Sequence, residues 1–499
     1  MVTAALALKN NDSSKCEKQQ KFPIAAHYAE LSQEDIKWWT VSLVDIINAN
    51  KRLEAAVFDV AGKHAREVIA NSKWDSLPLP KMIDKAYYPG RFKRIYSASI
   101  NGVPFYLPSQ MTDIYPKPDK YILALTKCDI SEFRLKFGDV LLTRSGTIGS
   151  VTIVTKTLEN TVFSDDVIRI TPNGNISGYI YAYLRSHVGN TILQTNRYGA
   201  VVKHIEPAHL AEIPIPTPPD DIKAKINSLI LCSFALRDES NDLIDKATFL
   251  LMESLRLPPI QELPVLRFDN SAEVNNYSVK LSDLSGRLDG SYHVPIVEAI
   301  AEHLHKYAAE VTTVGDSRIS KEIILPGRFK RVYVEEGQGR VFFGGKQLYE
   351  LDPSNKKYLS LVHHADRIKK QLELSENMTL ITCSGTIGKV TLVPRHWEQW
   401  TANQHIIRVV PASDNIAGYI SIFLASDYGY NLITRFTYGS VVDEIDDRHV
   451  SQIPFPILKD SDAQTEINRI ALEANELRYK AYQLEQEAMK ILDSEVIYA

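Results

Sequence analysis

Few residues in this sequence have the types and spacing that catalysis requires. Asp165 and Asp166 resemble the acidic pair of a nuclease, and His363 and His364 form an adjacent pair of possible metal ligands. Adjacent histidines do not share one helix face, so we expect a solvated or hydrogen-bonded pair instead of a metal site. A later segment of related sequence has Asn403-Gln404-His405 where the acidic pair would recur. A duplicated active site would keep both carboxylates, and we therefore interpret the acidic pair as a feature of a strand end.

Motifs for cofactors are also missing from the sequence. There is no G-x-x-x-x-G-K-[ST] phosphate loop and no G-x-G-x-x-G fingerprint after a strand. The Asn/Asp-Pro-Pro-aromatic tetrapeptide with which amino-methyltransferases hold their target base does not occur either. The sequence predicts that this chain is not an enzyme and that it has no catalytic residue, metal site or cofactor of its own.

Composition limits the class of protein. The chain has 499 residues, of which 44% are apolar and 24% are charged, as in soluble globular proteins of about three domains. With 57 basic and 61 acidic residues the net charge is −4, so a surface for a polyanion has to be local. No apolar run reaches the roughly 18 residues of a membrane helix. The four cysteines lie far apart, which favours reduced thiols and a cytoplasmic location.

The most informative feature is a tandem repeat. PGRFKR at residues 89–94 returns at 326–331, SGTIG at 145–149 returns at 384–388, and Tyr-Gly-x-Val-Val at 198–202 returns at 438–442. The offset drifts only from 237 (326 − 89) to 240 (438 − 198), and the order of the motifs is preserved. The chain is therefore a duplication of a unit of about 240 residues.

Each unit divides into a strand-rich part and a long helix. Short β-branched runs bounded by turn residues indicate strands, with a few helices between them. We predict a polar, flexible tail at 1–34, mixed α/β domains at 35–218 and 257–458, and long helices at 219–256 and 459–499. The fold class is α+β with a pseudo-two-fold arrangement.

The two long helices carry a seven-residue repeat without Pro or Gly. Large residues of the predicted seam are Ile226, Leu229, Leu236, Leu243 and Leu250 in the first helix, and Ile467, Ile470, Leu477 and Leu484 in the second; small residues such as Ser233, Ser240, Ala474 and Ala481 alternate with them. This pattern is typical of a coiled coil, and the chain has to return between the helices, which favours antiparallel pairing. The alternative is two independent amphipathic helices, each packed on its own domain.

Local cation clusters are the candidates for contact with DNA. Arg91, Lys93 and Arg94 recur as Arg328, Lys330 and Arg331, in loops suited to phosphate or guanine contacts. The hydroxyl residues of the SGTIG motifs (Ser145, Thr147, Ser384 and Thr386) are further candidates. The alternatives are a solvated basic hairpin for the first set and a simple β-turn for the second.

The order of these motifs, repeated twice, resembles that of the specificity subunit of a Type I restriction–modification system. SGTIG, the strand ending in Arg-x-x-Pro, the Gly-Tyr-Ile helix and the Ile-Pro-x-Pro before the long helix carry the resemblance, which spans about residues 35–494. Residues 287–292 (RLDGSY) resemble the start of a target-recognition domain, with residues 52–55 as a weaker counterpart.

The resemblance implies DNA recognition without chemistry. Each target-recognition domain would read one half of a bipartite asymmetric site on double-stranded DNA, and the two helices would form an antiparallel spacer. Two methyltransferase subunits and the restriction (translocase) subunits would be the partners and would hold S-adenosylmethionine and ATP. No membrane partner is expected. Segments 95–123 and 332–359 differ most between the units and would read different bases.

Two other classes of function remain open from the sequence. The same recognition unit would suit another methyltransferase-based system, such as a Type II-like or phage-defence enzyme. A non-DNA adaptor with twin β-rich binding domains would suit the acidic net charge, but the duplicated basic loops argue against it.

Overall fold

The computed structural model describes residues 40–48, 53, 55–97, 102–123, 129–146, 148–197, 203–265, 268–269, 276–284, 286–353 and 356–499. The predicted tail at 1–34 lies outside these residues, as do Arg52, Thr147 and Tyr198.

Both halves of the chain share ten strands in the same order, and the second half begins with an additional two-stranded hairpin. In the first half they are β1 (Ser76–Pro78), β2 (Ile83–Tyr87), β3 (Tyr96–Ser97), β4 (Val103–Tyr106), β5 (Lys120–Ile122), β6 (Val140–Thr143), β7 (Val151–Ile153), β8 (Val162–Phe163), β9 (Val167–Pro172) and β10 (Pro214–Pro216). In the second half they are β11 (Phe268–Asp269), β12 (Asn276–Tyr277), β13 (Glu310–Thr313), β14 (Ser320–Ile324), β15 (Tyr333–Val334), β16 (Gly339–Phe343), β17 (Lys357–Ser360), β18 (Thr379–Thr382), β19 (Val390–Leu392), β20 (Thr401–Ala402), β21 (Ile406–Pro411) and β22 (Pro454–Ile457).

Each half forms two four-stranded sheets. The inner sheet has the order β2-β9-β6-β7 in the first half and β14-β21-β18-β19 in the second. The outer sheet has the order β3-β5-β4-β8 or β15-β17-β16-β20, and its last pair is parallel in both halves. The two-stranded sheets β1-β10 and β13-β22 join the start of each domain to its end. The predicted fold of two tandem mixed α/β domains is confirmed.

The helices complete each domain. They are α1 (Leu43–Asn48), α2 (Val60–Ala70), α3 (Ser177–Arg185), α4 (His187–Thr195), α5 (Asp220–Ser254), α6 (Pro295–Tyr307), α7 (Leu361–Arg367), α8 (Asp414–Ala425), α9 (Asp427–Thr434), α10 (Asp447–Ser451) and α11 (Ser461–Ile491). Within the described residues, no helix is both long and apolar enough to cross a membrane.

The long helices α5 and α11 pack against each other in opposite directions. Ser233 donates to the carbonyl of Ala481 at 2.7 Å, whereas Ser240, further along α5, contacts Arg478, which comes earlier in α11. One apolar core joins the start of α5 to the end of α11, and the other joins the end of α5 to the start of α11. The predicted antiparallel pairing is therefore confirmed, and each domain core lies at one end of the helix pair.

The small residues of the heptad pattern are the ones that the helix pair buries. Ser233, Ser240, Ala474 and Ala481 are fully buried, because close approach of the two backbones leaves room only for short side chains. Among the large seam residues, Ile226, Ile467 and Ile470 are buried, whereas Leu229, Leu236, Leu243, Leu250, Leu477 and Leu484 are half-buried. The leucines therefore border the close contact and do not fill its centre.

Two of the repeated motifs fasten each domain to its long helix. The Asn227 side chain accepts a hydrogen bond from the backbone N–H of Gly178 at 2.9 Å, and Asn468 does the same for Gly418 at 2.8 Å. A Cβ atom at Gly178 would lie 2.6 Å from the Asn227 carbonyl oxygen, so this close approach requires glycine. The next residue, Tyr179, is fully buried and donates to the carbonyl of Pro216 in the Ile-Pro-x-Pro motif at 2.8 Å.

Candidate nucleic-acid interface

The PGRFKR loops connect the inner sheet to the outer sheet in both halves. The first loop follows β2 and the second follows β14. Their phenylalanines anchor them: Phe92 meets Phe133 edge to face at 4.7 Å between ring centroids, and Phe329 meets Phe342 in the same way at 6.3 Å. Lys93 and Lys330 are exposed beside these anchored rings, and neither has an ion-pair partner among the residues that the structure describes.

The arginines of the first loop are paired with carboxylates. Asp165 is 1% exposed and pairs with both Arg94 and Arg91, the latter at 3.3 Å. Arg94 is directed inward, with its guanidinium 5.1 Å from the centre of the Phe105 ring. Arg91 keeps 68% of its side chain exposed and also lies 3.6 Å from Asp166. The acidic pair at the strand end therefore neutralises much of the positive charge of this loop.

The second loop has fewer acidic partners. Gln404 stands where the first half has Asp165, and its amide oxygen accepts from Arg331 at 2.7 Å. Arg328 is 79% exposed and makes one ion pair, with Glu444 at 3.2 Å. Arg367 adds a further cation, because its guanidinium lies over the Phe329 ring at 4.9 Å. The same six-residue motif thus carries more uncompensated positive charge in the second half.

The sequence did not indicate Arg144 as part of the first cluster. Arg144 pairs with Glu206 at 2.5 Å and with Asp166 at 3.6 Å, and its guanidinium lies 4.2 Å from the Tyr88 ring centre. Cys383 follows the matching strand of the second half, so the repeat gave no signal for this arginine.

The SGTIG motifs form turns that are held against a helix. Gly146 and Gly149 have φ of 78° and 100°, and Gly385 and Gly388 have φ of 75° and 85°, which favours glycine at all four places. In the first half the Asn190 side chain of α4 donates to the carbonyl of Gly149 at 2.6 Å. Ser145 pairs in a β-bridge with His204, and Ser384 pairs with Glu444. Thr386 is exposed, and both serines are half-exposed.

The segments that differ most between the halves build most of the outer sheets. Residues 95–123 contain β3, β4 and β5, and residues 332–359 contain β15, β16 and all but the last residue of β17. Each sheet exposes one tyrosine with a lysine over its ring: Lys120 lies 5.0 Å from the centre of Tyr96, and Lys357 lies 5.3 Å from that of Tyr333. These two pairs were not singled out from the sequence, because the lysine and tyrosine of each pair are 24 residues apart (120 − 96 and 357 − 333).

A buried arginine joins the two sheets of each half. Arg169 is fully buried and donates to the carbonyls of Val167, Phe133 and Phe163 at 2.9, 3.2 and 3.1 Å. Arg408, its counterpart, donates to Ile406 at 2.6 Å and to Asn403, Leu372 and Ala402. Burial lowers the pKa of Arg169 to about 10 and that of Arg408 to about 9. They hold the strand ends that carry the acidic pair and its counterpart, so their role is positioning.

The histidine pair makes local hydrogen bonds. His363 interacts with the hydroxyl of Ser360 at 3.0 Å, and His364 accepts from the backbone N–H of Val332 at 3.1 Å. Throughout the described ranges, no three His, Cys, Asp or Glu side chains are grouped so that they could hold a metal ion.

Comparison with known proteins identifies part of the first half. Residues 95–234 match the family model of the Type I restriction modification DNA specificity domain. This stretch contains the first outer sheet, the inner sheet from β6 onward, and the start of α5. No curated protein matches the chain.

Three solved structures share low sequence identity with the chain. The match to the S subunit of a Type I restriction-modification system from M. genitalium has 12% sequence identity and a TM-score of 0.33. It covers 85% of this chain and 95% of that subunit. The HsdS subunit from Thermoanaerobacter tengcongensis is 13% identical, with coverages of 84% and 96% and a TM-score of 0.26. A structure described as the basis of complex assembly and conformational transition of the type I R-M system is 15% identical, with coverages of 84% and 97% and a TM-score of 0.26. TM-scores this low do not establish a shared fold.

The family match supports a role in DNA recognition. The specificity subunits to which the matched domain belongs are non-catalytic, which agrees with the prediction that this chain is not an enzyme. The second half repeats the sheets and the basic loop of the matched half. Residues 95–234 are thus similar to the DNA specificity domain of Type I restriction–modification systems.

Proposed function

We propose that the two halves read the two parts of a bipartite, asymmetric site on double-stranded DNA. The observation that supports this most strongly is the duplication of one outer sheet and one basic loop at opposite ends of an antiparallel helix pair. The cations of the loops would contact phosphates, since their residues are identical in both halves. The divergent outer sheets would then read different bases.

The helix pair sets the distance between the half-sites. Asn227 fastens the first domain to α5, and Asn468 fastens the second domain to α11. Because Ser233 donates to the Ala481 backbone, the antiparallel register places Asn468 beside Lys246 (233 + 481 − 468). The attachment points are therefore about 19 residues apart (246 − 227), or about 29 Å at 1.5 Å per residue. At about 3.4 Å per base pair of B-DNA, we propose half-site centres about 8 base pairs apart.

We propose further that catalysis belongs to partner subunits. Two methyltransferase subunits and the restriction subunits of a Type I complex would dock on this chain and would supply S-adenosylmethionine and ATP. The match of residues 95–234 to the specificity-domain model supports this step.

A segment exchange tests the proposed division of labour. Replacing residues 95–123 by residues 332–359, in a chain assembled with its cognate methyltransferase subunits, should change the methylated sequence of one half-site only. The reciprocal exchange is the matched control and should change the other half-site only. A folded, active exchange protein that keeps the original sequence at both half-sites would contradict the proposal.

A further inference from the structure

The duplication places two equivalent sites beside the helix pair, and one of them is filled by side chains. In this filled site Glu485 is buried, forms an ion pair with Arg185 at 2.7 Å, and accepts hydrogen bonds from Tyr181 at 2.7 Å and from Arg237. The Phe234 ring packs edge to face on Tyr181 at 5.1 Å. Although burial opposes ionisation, Arg185 and Arg237 hold the pKa of Glu485 below its ordinary value.

The equivalent site in the second half keeps one arginine and loses the groups that surround it. Arg478 of α11 corresponds to Arg237 of α5, at the offset of 241 (478 − 237) that relates the two helices. The positions of Tyr181, Arg185, Phe234 and Glu485 are taken by Ser421, Ala425, Asn475 and Ile244. Two aromatic rings, one guanidinium and one carboxylate are thus replaced by smaller or uncharged side chains.

These replacements leave an open site between the two halves. It is a cavity of about 350 Å³, which is within the usual size of pockets for small ligands. Its walls are mainly apolar and include Ile114, Ile244, Tyr349 and Leu392. Lys117 reaches across one edge and donates to the carbonyl of Ala425 at 3.0 Å.

Two buried polar groups at the open site lack the partners that burial normally requires. Arg478 is 9% exposed and makes only long contacts, at 3.4 Å to Ser240 and 3.5 Å to Asn241. No carboxylate within the described ranges lies at ion-pair distance from Arg478. Asp245, at the cavity wall, accepts a hydrogen bond from the hydroxyl of Tyr115. The side-chain oxygen of Asn475 is buried without a donor. A buried arginine without an anion is costly, so an anionic occupant would be stabilised there.

We propose that the open site binds a small aromatic carboxylic acid that also carries a hydrogen-bond donor. Its carboxylate would pair with Arg478 as Glu485 pairs with Arg237, and its ring would occupy the space that Tyr181 and Phe234 fill in the other half. Its donor would satisfy the oxygen of Asn475. This binding is separate from DNA recognition, and because residues of both halves line the cavity, the ligand would also fasten them together.

The test uses the full chain and 3-(4-hydroxyphenyl)propionate as the probe, with the corresponding amide as the uncharged control. Calorimetric titration and thermal unfolding are measured for the unmodified chain, Arg478→Met, and Ser421→Tyr with Asn475→Phe. The double variant introduces the two aromatic residues of the filled site, Tyr181 and Phe234, which already pack against each other in the first half.

We expect the acid to bind the unmodified chain and to raise its unfolding temperature, and the amide to bind at least tenfold more weakly, since it cannot form the ion pair. Both variants should lose binding of the acid. Both should also unfold at a higher temperature without ligand, because the double variant fills the cavity and Arg478→Met removes a buried charge that lacks a counter-ion. Absence of binding, equal binding of acid and amide, or binding that persists in the folded double variant would each overturn the proposal. DNA affinity is measured in parallel, so that failure of the ligand site is distinguished from failure of DNA recognition.

Discussion

The two basic loops should contribute unequally to the salt dependence of DNA binding. Each phosphate contact by a cation contributes about 0.9 to the slope of log K against log salt concentration. Arg328 and Arg331 face one glutamate and one neutral glutamine, so their joint replacement by alanine should lower the slope by up to about 2. Arg94 is held inward by Asp165, so replacement of Arg91 and Arg94 should lower the slope by about 1 or less.

A gain-of-affinity variant tests the cause of this asymmetry. Asp166 is partly exposed and lies 3.6 Å from both Arg91 and Arg144. Asp166→Asn should remove one of the two carboxylates that face each of these arginines, while Asp165 and Glu206 remain. It should therefore steepen the salt slope by up to about 1 and tighten binding to any duplex. Glu302→Gln, on the exposed side of α6, removes the same charge away from both loops and is the control.

The assay is fluorescence anisotropy with a non-cognate duplex between about 50 and 200 mM salt, where counterion release dominates affinity. Circular dichroism confirms that each variant is folded. Equal slopes for the two arginine double variants, or an Asp166→Asn variant that behaves like Glu302→Gln, would refute the assignment of unequal charge to the two loops.

Three further predictions concern stability. Ala474→Leu with Ala481→Leu should overpack the close helix contact and cost about 1–3 kcal/mol each in urea unfolding; unchanged stability would show that the helices do not meet there. Arg408→Met should cost about 1–3 kcal/mol for each buried carbonyl left without a donor, and a loss below 1 kcal/mol would contradict its role between the sheets. Burial raises the pKa of both Asp113 and Glu350, which pair across the two halves, to about 7. The folded state therefore keeps protons that the unfolded state releases, stability should fall as pH rises from about 4 to 7, and Asp113→Asn with Glu350→Gln should flatten that decline; an unchanged decline in the double variant would count against it.

The repeat could be detected in the sequence because each of its motifs depends on residues that are close together in the chain. Glycines with positive φ and proline-bounded strands recur in order, and their physical requirements lie within a few residues. The seven-residue period without Pro or Gly likewise predicted two long helices, and the need for the chain to return predicted their direction. These elements are specified by patterning alone, which is why the architecture could be derived.

The charges and contacts of the interface could not be derived in the same way. Asp165 is 71 residues from Arg94, so their pairing depends on how the two sheets meet. The burial of Arg169 likewise depends on contacts with residues distant in the sequence, such as Phe133, although the shared Arg-x-x-Pro motif was visible in the sequence. The half-buried position of leucines such as Leu236 follows from the close approach of the helix backbones, and a heptad pattern does not report that distance.

Recognition of a bipartite DNA site is tested by mapping methylated adenines in genomic DNA from cells that have the complete system, with this gene present and deleted. We expect methylation in one bipartite motif whose two specified parts are centred about 8 base pairs apart, and loss of that methylation when the gene is deleted. A continuous motif, or methylation that persists without the gene, would contradict it.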